Sequence, residues 1–122
     1  MKRTTDYTIH LNIHKADFDA ARAGGTFNET RTLCGRNILT LLGVPVNGKR
    51  PCRRLSDFEL SKLTDAASVQ AAIRAGKLIP RSEKAVLHRG YSRNTIDADI
   101  IGISTKDEGG EPQLLISYKT QP

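Results

Sequence analysis

Hydrophobic and polar residues alternate near the start of the chain, over residues 7–14. The apolar set is Tyr7, Ile9, Leu11 and Ile13, and the polar set is Thr8, His10, Asn12 and His14. Because successive side chains of a strand point to opposite faces, this period of two predicts a β-strand with one polar face. A short helix is predicted next, from Ala16 to Ala23, with Gly24 able to close it.

Two or three further helices are predicted in the middle of the chain, where apolar residues recur at spacings of three, four and seven. The first covers residues 26–43 and opens with a capping-box pattern. The next begins at Ser56, which has the same pattern. A break near residues 65–68 divides it from a short helix that closes at Gly76.

Alternation with a period of two returns in the last third of the chain. It predicts three strands, at Val86–Ser92, Asp97–Thr105 and Gln113–Thr120, the last two joined by the turn-rich segment KDEGGEP. We therefore expect a single α+β domain over residues 1–122. One N-terminal strand and three or four helices would precede a three-stranded C-terminal sheet, antiparallel or mixed, with the helices packed on one face and the other face open to solvent.

The composition is that of a folded, basic protein. The chain has 122 residues, a formal net charge of +6 and a pI near 9.6, a balance that favours polyanions as partners. With three Tyr, three Phe and no Trp, phosphate contacts are favoured over base stacking. The sequence shows neither a signal-peptide h-region nor an apolar run of membrane-spanning length, so we expect a cytoplasmic protein without a membrane partner.

One short segment concentrates the positive charge. Lys49, Arg50, Arg53 and Arg54 lie within six residues, separated by Pro51 and Cys52. We predict an exposed loop between two helices, stiffened by the proline. Four cations with no acid among them repel one another unless an anion binds, although a merely solvated loop would have the same sequence.

A second cluster lies at the start of the C-terminal sheet, in LHRGYSRN. It contains His88, Arg89, Tyr91 and Arg93. If the first and third of the four predicted strands were neighbours, His10 could join this cluster. Histidine or tyrosine to move protons and arginine to stabilise a phosphate are what a metal-independent ribonuclease needs, so His10, His88, Arg89 and Tyr91 are candidate catalytic residues. A passive phosphate site would use the same residues.

Metal and cofactor chemistry is not indicated by any motif. His10 and His14 are four apart, but on a strand that spacing separates them by roughly 13 Å, too far for a shared metal. Cys34 and Cys52 form no zinc-binding pattern and are expected to be free thiols, Cys34 buried on a helix and Cys52 accessible. The phosphate-binding and nucleophile-elbow motifs do not occur.

These patterns predict a small basic binding protein without a cofactor. Its polyanionic partner is expected to be nucleic acid, bound through Lys49 to Arg54 and through a basic sheet face with Arg89 and Arg93. One alternative is a metal-independent ribonuclease of the toxin type. Another is a phage or mobile-element accessory or inhibitor protein that binds an acidic protein surface or a nucleotide ligand.

Overall fold

The computed structural model describes residues 8–90, 93–108 and 110–122, without the side chains of residues 49–51 and 108. Helices and strands are mixed, as an α+β fold requires. The elements in chain order are β1 (Ile9–Ile13), α1 (Lys15–Arg22), β2 (Gly25–Thr32), α2 (Gly35–Leu41), β3 (Leu42–Val46), β4 (Lys49–Arg53), α3 (Asp57–Ser61), α4 (Ala66–Arg74), β5 (Ile79–Pro80), β6 (Lys84–Arg89), β7 (Thr95–Glu108) and β8 (Glu111–Thr120).

Five strands form the main sheet, in the order β1-β6-β7-β8-β2. The predicted sheet of three C-terminal strands was therefore too small, since β1 and β2 extend it on either side. β1 runs parallel to β6, while the β6–β7, β7–β8 and β8–β2 pairs are antiparallel. The sheet is mixed because β1 reaches β6 only after a long connection, which can return the chain in the same direction.

The prediction of one helix over residues 26–43 was wrong. Residues 25–32 form the edge strand β2, paired with β8 from Gly25 opposite Thr120 to Thr32 opposite Gln113. Their sequence, GTFNETRT, is rich in the β-branched and aromatic residues that suit a strand, and this outweighs the capping-box pattern. Only α2 remains helical, and it begins after Cys34.

The predicted basic loop is a strand. β3 and β4 form a hairpin around Asn47 and Gly48, both with positive φ, at 58° and 78°. Two such residues give the tight turn whose twist matches that of the flanking strands, and Asn-Gly is its preferred sequence. Strand β5 completes a second, three-stranded sheet in the order β4-β3-β5. We call residues 42–54 the basic hairpin.

The helix start that was read from the capping box at Ser56 is confirmed. The Ser56 hydroxyl accepts a hydrogen bond from the backbone of Glu59, whose carboxylate accepts one from the backbone of Ser56. Asp65 and Ser68 cap α4 in the same way, which explains the break predicted there. No helix in the described ranges is long and apolar enough to cross a membrane.

One hydrophobic cluster joins the main sheet to the helices and to the second sheet. It contains Ile9, Leu11 and Ile13 of β1, Leu87 of β6, Leu114, Ile116 and Tyr118 of β8, Phe18 and Ala21 of α1, Ile38 of α2, Leu42 of β3 and Val69 of α4. These sheet residues lie at alternate positions and therefore share one face. The other face, which we call the open face, holds the polar residues between them.

The two edge strands of the main sheet approach each other at one end. Arg31 of β2 donates a hydrogen bond from Nη2 to the carbonyl oxygen of Asn12 in β1, at 2.7 Å. It also pairs with Glu29, at 3.1 Å. The sheet is therefore curved enough for one side chain to bridge its edges.

Candidate functional site

A close contact between its own two strands fixes the base of the basic hairpin. Gly43 is buried, and a Cβ atom there would overlap Cys52 and lie 3.2 Å from the carbonyl oxygen of Arg53. The Cys52 thiol points inward as well, with Sγ 3.7 Å from the carbonyl oxygen of Arg81. This face of β4 is thus packed, and the hairpin is fixed near its base.

Arg53 is already partnered within the protein. Its Nη1 and Nη2 donate to Oε1 and Oε2 of Glu59, at 2.7 and 2.6 Å. This fork-to-fork geometry is the strongest form of an arginine–carboxylate pair. The hydrogen bonds from Arg53 lower the pKa of Glu59 to about 2, helped by the capping bonds of Ser56, and the pair raises the pKa of Arg53. Arg53 therefore anchors the hairpin to α3.

The other cations of the basic hairpin differ from Arg53. Arg54 is exposed, and its side chain makes no ion pair with any residue that the structure describes. Lys49 lies opposite Val46, beside the turn. The side chains of Lys49 and Arg50 lie outside the described part. Of the two cations whose side chains the structure describes, Arg53 is committed to an internal partner and Arg54 is available to a ligand.

On the open face the structure brings two candidate residues together. His10 Nδ1 and His88 Nε2 are 2.9 Å apart, and the ring centroids are 5.1 Å apart. The parallel register places His10 opposite Val86 and Asn12 opposite His88, so the two histidines are diagonal neighbours on adjacent strands. In this contact one ring nitrogen donates and the other accepts.

The remaining members of the predicted cluster lie elsewhere. Arg89 is opposite Ile13, on the other face of the sheet from His88, and adds to the lowering of the pKa of Asp19, whose main cause is a hydrogen bond from Lys15. Arg93 is exposed in the turn before β7. Tyr91 lies outside the described residues. His10 therefore meets His88 and not Arg89.

The open face carries charges of both signs. Lys84, Asp99 and Lys119 lie side by side on β6, β7 and β8, and Lys84 forms an ion pair with Asp99 that raises the pKa of Lys84. Asp97 lies opposite Val86 on the same face. Because two aspartates accompany two lysines, this part of the sheet attracts a polyanion much less than the basic hairpin does.

Two clefts border the main sheet. The larger, of about 650 Å³, is lined by the two lysines and two aspartates of the open face, by Arg22 and by the C-terminal residues Gln121 and Pro122. The smaller, of about 410 Å³, lies where the edge strands meet and is lined by His14, Glu29 and Arg31 among others. Arg31 already donates to protein oxygen atoms in that cleft, so its guanidinium has a structural role there.

The cysteines are free thiols, but their exposure is the reverse of the prediction. Cys34 is exposed because the helix begins one residue later, so this residue lies at the helix end and not on its apolar stripe. Cys52 is half-buried against Gly43. Among the described residues, no group of three or more His, Cys, Asp or Glu side chains is close enough to hold a metal ion.

No family model matches the chain, and neither the curated proteins nor the solved structures contain a match.

Proposed function

We propose that the protein binds a polyanion, nucleic acid in the first place, through the basic hairpin. The observation that carries the proposal is the placement of Lys49, Arg50, Arg53 and Arg54 on and beside one strand of a hairpin, with Glu59 as the carboxylate that pairs with this set in the described structure. The net charge of +6 also attracts a polyanion, and it does so over a longer range.

The hairpin form supports a contact with a phosphate backbone. A two-stranded ribbon is narrow enough to enter the major groove of duplex DNA. The Arg53–Glu59 pair and the packed Cys52 hold the base of the ribbon in place. The base of the ribbon would therefore gain little order on binding. Arg93, exposed in the turn before β7, is a secondary contact in this proposal.

The test is the salt dependence of nucleic-acid binding. Fluorescence anisotropy with labelled duplex DNA, single-stranded DNA and RNA should be measured over a range of salt concentrations for the wild type and for Arg50→Gln/Arg54→Gln. Each lost phosphate contact should reduce the slope of log K against log salt by about 0.9 for duplex DNA or about 0.7 for single strands.

The matched control is Arg36→Gln/Arg74→Gln, which removes the same charge from exposed positions on α2 and α4. Its slope should stay near that of the wild type. Equal slopes for the two double variants would show that net charge, and not the hairpin, carries the binding. If none of the three nucleic acids showed salt-dependent binding, nucleic acid would be excluded, and an acidic protein or a nucleotide would remain as the partner.

A metal-independent ribonuclease is the second candidate, and the His10–His88 contact favours it. Two imidazoles in contact can supply the general acid and the general base of phosphodiester cleavage. At 2.9 Å, however, the two nitrogen atoms contact each other, and they would have to separate to admit a phosphate between them. We therefore rank RNA cleavage below polyanion binding as the function of the protein.

RNA cleavage in the presence of EDTA decides between the two. We expect no cleavage by the wild type. If cleavage occurs, His10→Ala or His88→Ala should lower turnover by roughly 10² to 10⁴ with little change in RNA affinity, because proton transfer acts in the transition state. His14→Ala is the control, since it removes the third histidine of the chain without touching the pair. Such a result would make catalysis the primary function.

A further inference from the structure

We propose that His10 and His88 form a binding site for a divalent transition-metal ion of the Cu²⁺, Ni²⁺ and Zn²⁺ class. The proposal goes beyond polyanion binding and does not rest on it, because the basic hairpin contributes no residue to the site. It rests on the convergence of two ring nitrogens from adjacent strands.

The distance between the two nitrogens is close to that of two ligands on one metal ion. With metal–nitrogen bonds of about 2.0 to 2.1 Å, two imidazole ligands lie about 2.9 Å apart at a right angle and about 3.4 Å apart at a tetrahedral angle. His10 Nδ1 and His88 Nε2 are 2.9 Å apart without a metal. Each ring must turn so that its lone pair points at a common ion and no longer at the other ring, and the N–N distance itself needs little change.

The backbone beneath the pair is well fixed. Leu11 and Leu87, next to the two histidines in sequence, are 2% and 0% exposed in the core. The parallel pairing of β1 with β6 holds both strands in register. His10 itself is exposed on the open face, so water can complete the coordination and an ion can enter from solvent. Two fixed histidine ligands, with the other coordination positions of the ion open to water, form a site from which the ion can exchange.

The type of ligand determines the class of ion. The pair offers imidazole nitrogen, and in the described structure no third His, Cys, Asp or Glu joins it. Imidazole suits Cu²⁺, Ni²⁺ and Zn²⁺, whereas Mg²⁺ and Ca²⁺ prefer oxygen. Affinity should follow the usual order for nitrogen sites, with Cu²⁺ bound most tightly. Mg²⁺ should not compete.

Calorimetric titration with Ni²⁺, and then with Cu²⁺, tests the proposal. The protein should carry Cys34→Ser and Cys52→Ser so that thiols do not bind the probe. We expect one ion per chain, and a loss of affinity in His10→Ala or His88→Ala that exceeds the 10-fold to 100-fold cost of changing even an outer partner of a metal ligand. His14→Ala is the matched control, an exposed histidine one residue beyond the same strand, and should leave the affinity unchanged.

An NMR measurement on the protein with all three histidines keeps the proposal testable even if an alanine variant fails to fold. Substoichiometric Cu²⁺ should broaden the NMR signals of the His10 and His88 rings together, before those of His14. Equal broadening of all three rings would overturn the proposal. So would equal affinity in the wild type and the two alanine variants, or an equal loss in His14→Ala.

Discussion

The basic hairpin and the open face of the main sheet both carry charged residues, yet they hold them differently. In the hairpin, the cations are close in sequence, and Arg53 is paired with Glu59 of α3, outside the hairpin. On the open face, the polar residues come from distant parts of the chain and pair with one another, as Lys84 does with Asp99. The hairpin therefore keeps an excess of positive charge that the open face does not have.

The comparison shows that a count of cations does not identify a binding surface. What matters is whether a cation already has a partner, because an internal ion pair must be broken, or shared, before the group can serve a ligand. Arg54 has no such partner among the described residues, whereas Lys84 has one. The larger cleft, beside Lys84, is thus a weaker candidate for a polyanion than the hairpin.

The largest expected effect comes from disrupting the base of the hairpin. Gly43→Ala should destabilise the protein by about 1 to 3 kcal/mol, because the new methyl group overlaps Cys52 and approaches the backbone of Arg53. Urea denaturation measures the loss, and polyanion affinity should fall with it.

Gly102→Ala is the matched change in the main sheet. A Cβ atom at Gly102 would meet nothing within 4 Å, so the free energy of unfolding should change by less than about 0.5 kcal/mol. Similar losses for the two variants would show that the hairpin is not held by the contact at Gly43.

A smaller effect is expected when each paired cation is released. Glu59→Gln should free Arg53 while keeping a residue that suits the capping box, and should steepen the salt dependence of nucleic-acid binding by about 0.7 to 0.9 unit. Asp99→Asn frees Lys84 on the open face and makes the same change in net charge. Its slope should change less, and an equal change would place both surfaces in contact with the nucleic acid.

Glu59 should also make the stability of the protein depend on pH. The pKa of Glu59 is about 2 in the folded protein, against an ordinary value of 4.5, so its pair with Arg53 contributes full stability above about pH 4.5. That contribution should be lost as the pH falls from 4.5 towards 2. The thermal midpoint of Glu59→Gln should therefore fall less steeply over this range than that of the wild type. Parallel curves would contradict the assignment.

The smallest effect concerns reactivity and not stability. Cys34 is exposed and should react with a maleimide several times faster than Cys52, which is half-buried in the hairpin. Bound nucleic acid should slow Cys52 further and leave Cys34 unchanged. Peptide mass spectrometry after timed labelling distinguishes the two sites, and equal protection of both would move the ligand away from the hairpin.

The features that could be predicted from the sequence were the strands and helix starts that depend on short local patterns. Alternation identified β1 and the three C-terminal strands, and the capping box at Ser56 marked the start of α3, because both signals depend on residues only a few positions apart. The same kind of signal misled at residues 26–43, where Thr26 and Glu29 imitate a capping box. Their actual environment is set by pairing with β8, which a local pattern does not contain.

The candidate site shows the same limit. The cations of the hairpin were found because they are adjacent in sequence, although the Asn-Gly pair at residues 47–48 was a hairpin signal that was missed. The contact between His10 and His88 depends on which strands are neighbours and on their register. Those are fixed by the packing of the whole core and leave no mark on the segments around either histidine.

The parallel pairing of β1 with β6 also sets an order of events on the ribosome. His10 and His88 are separated by 78 residues, so at synthesis rates of about 5 to 20 residues per second β1 waits about 4 to 16 s for its neighbour to be made. The other edge strand, β2, waits for β8. We expect the antiparallel β6–β7–β8 unit to assemble first and the two edge strands to join its flanks, and because the complete chain should follow the same order, pulsed hydrogen exchange during its refolding should show early protection in β7 and β8.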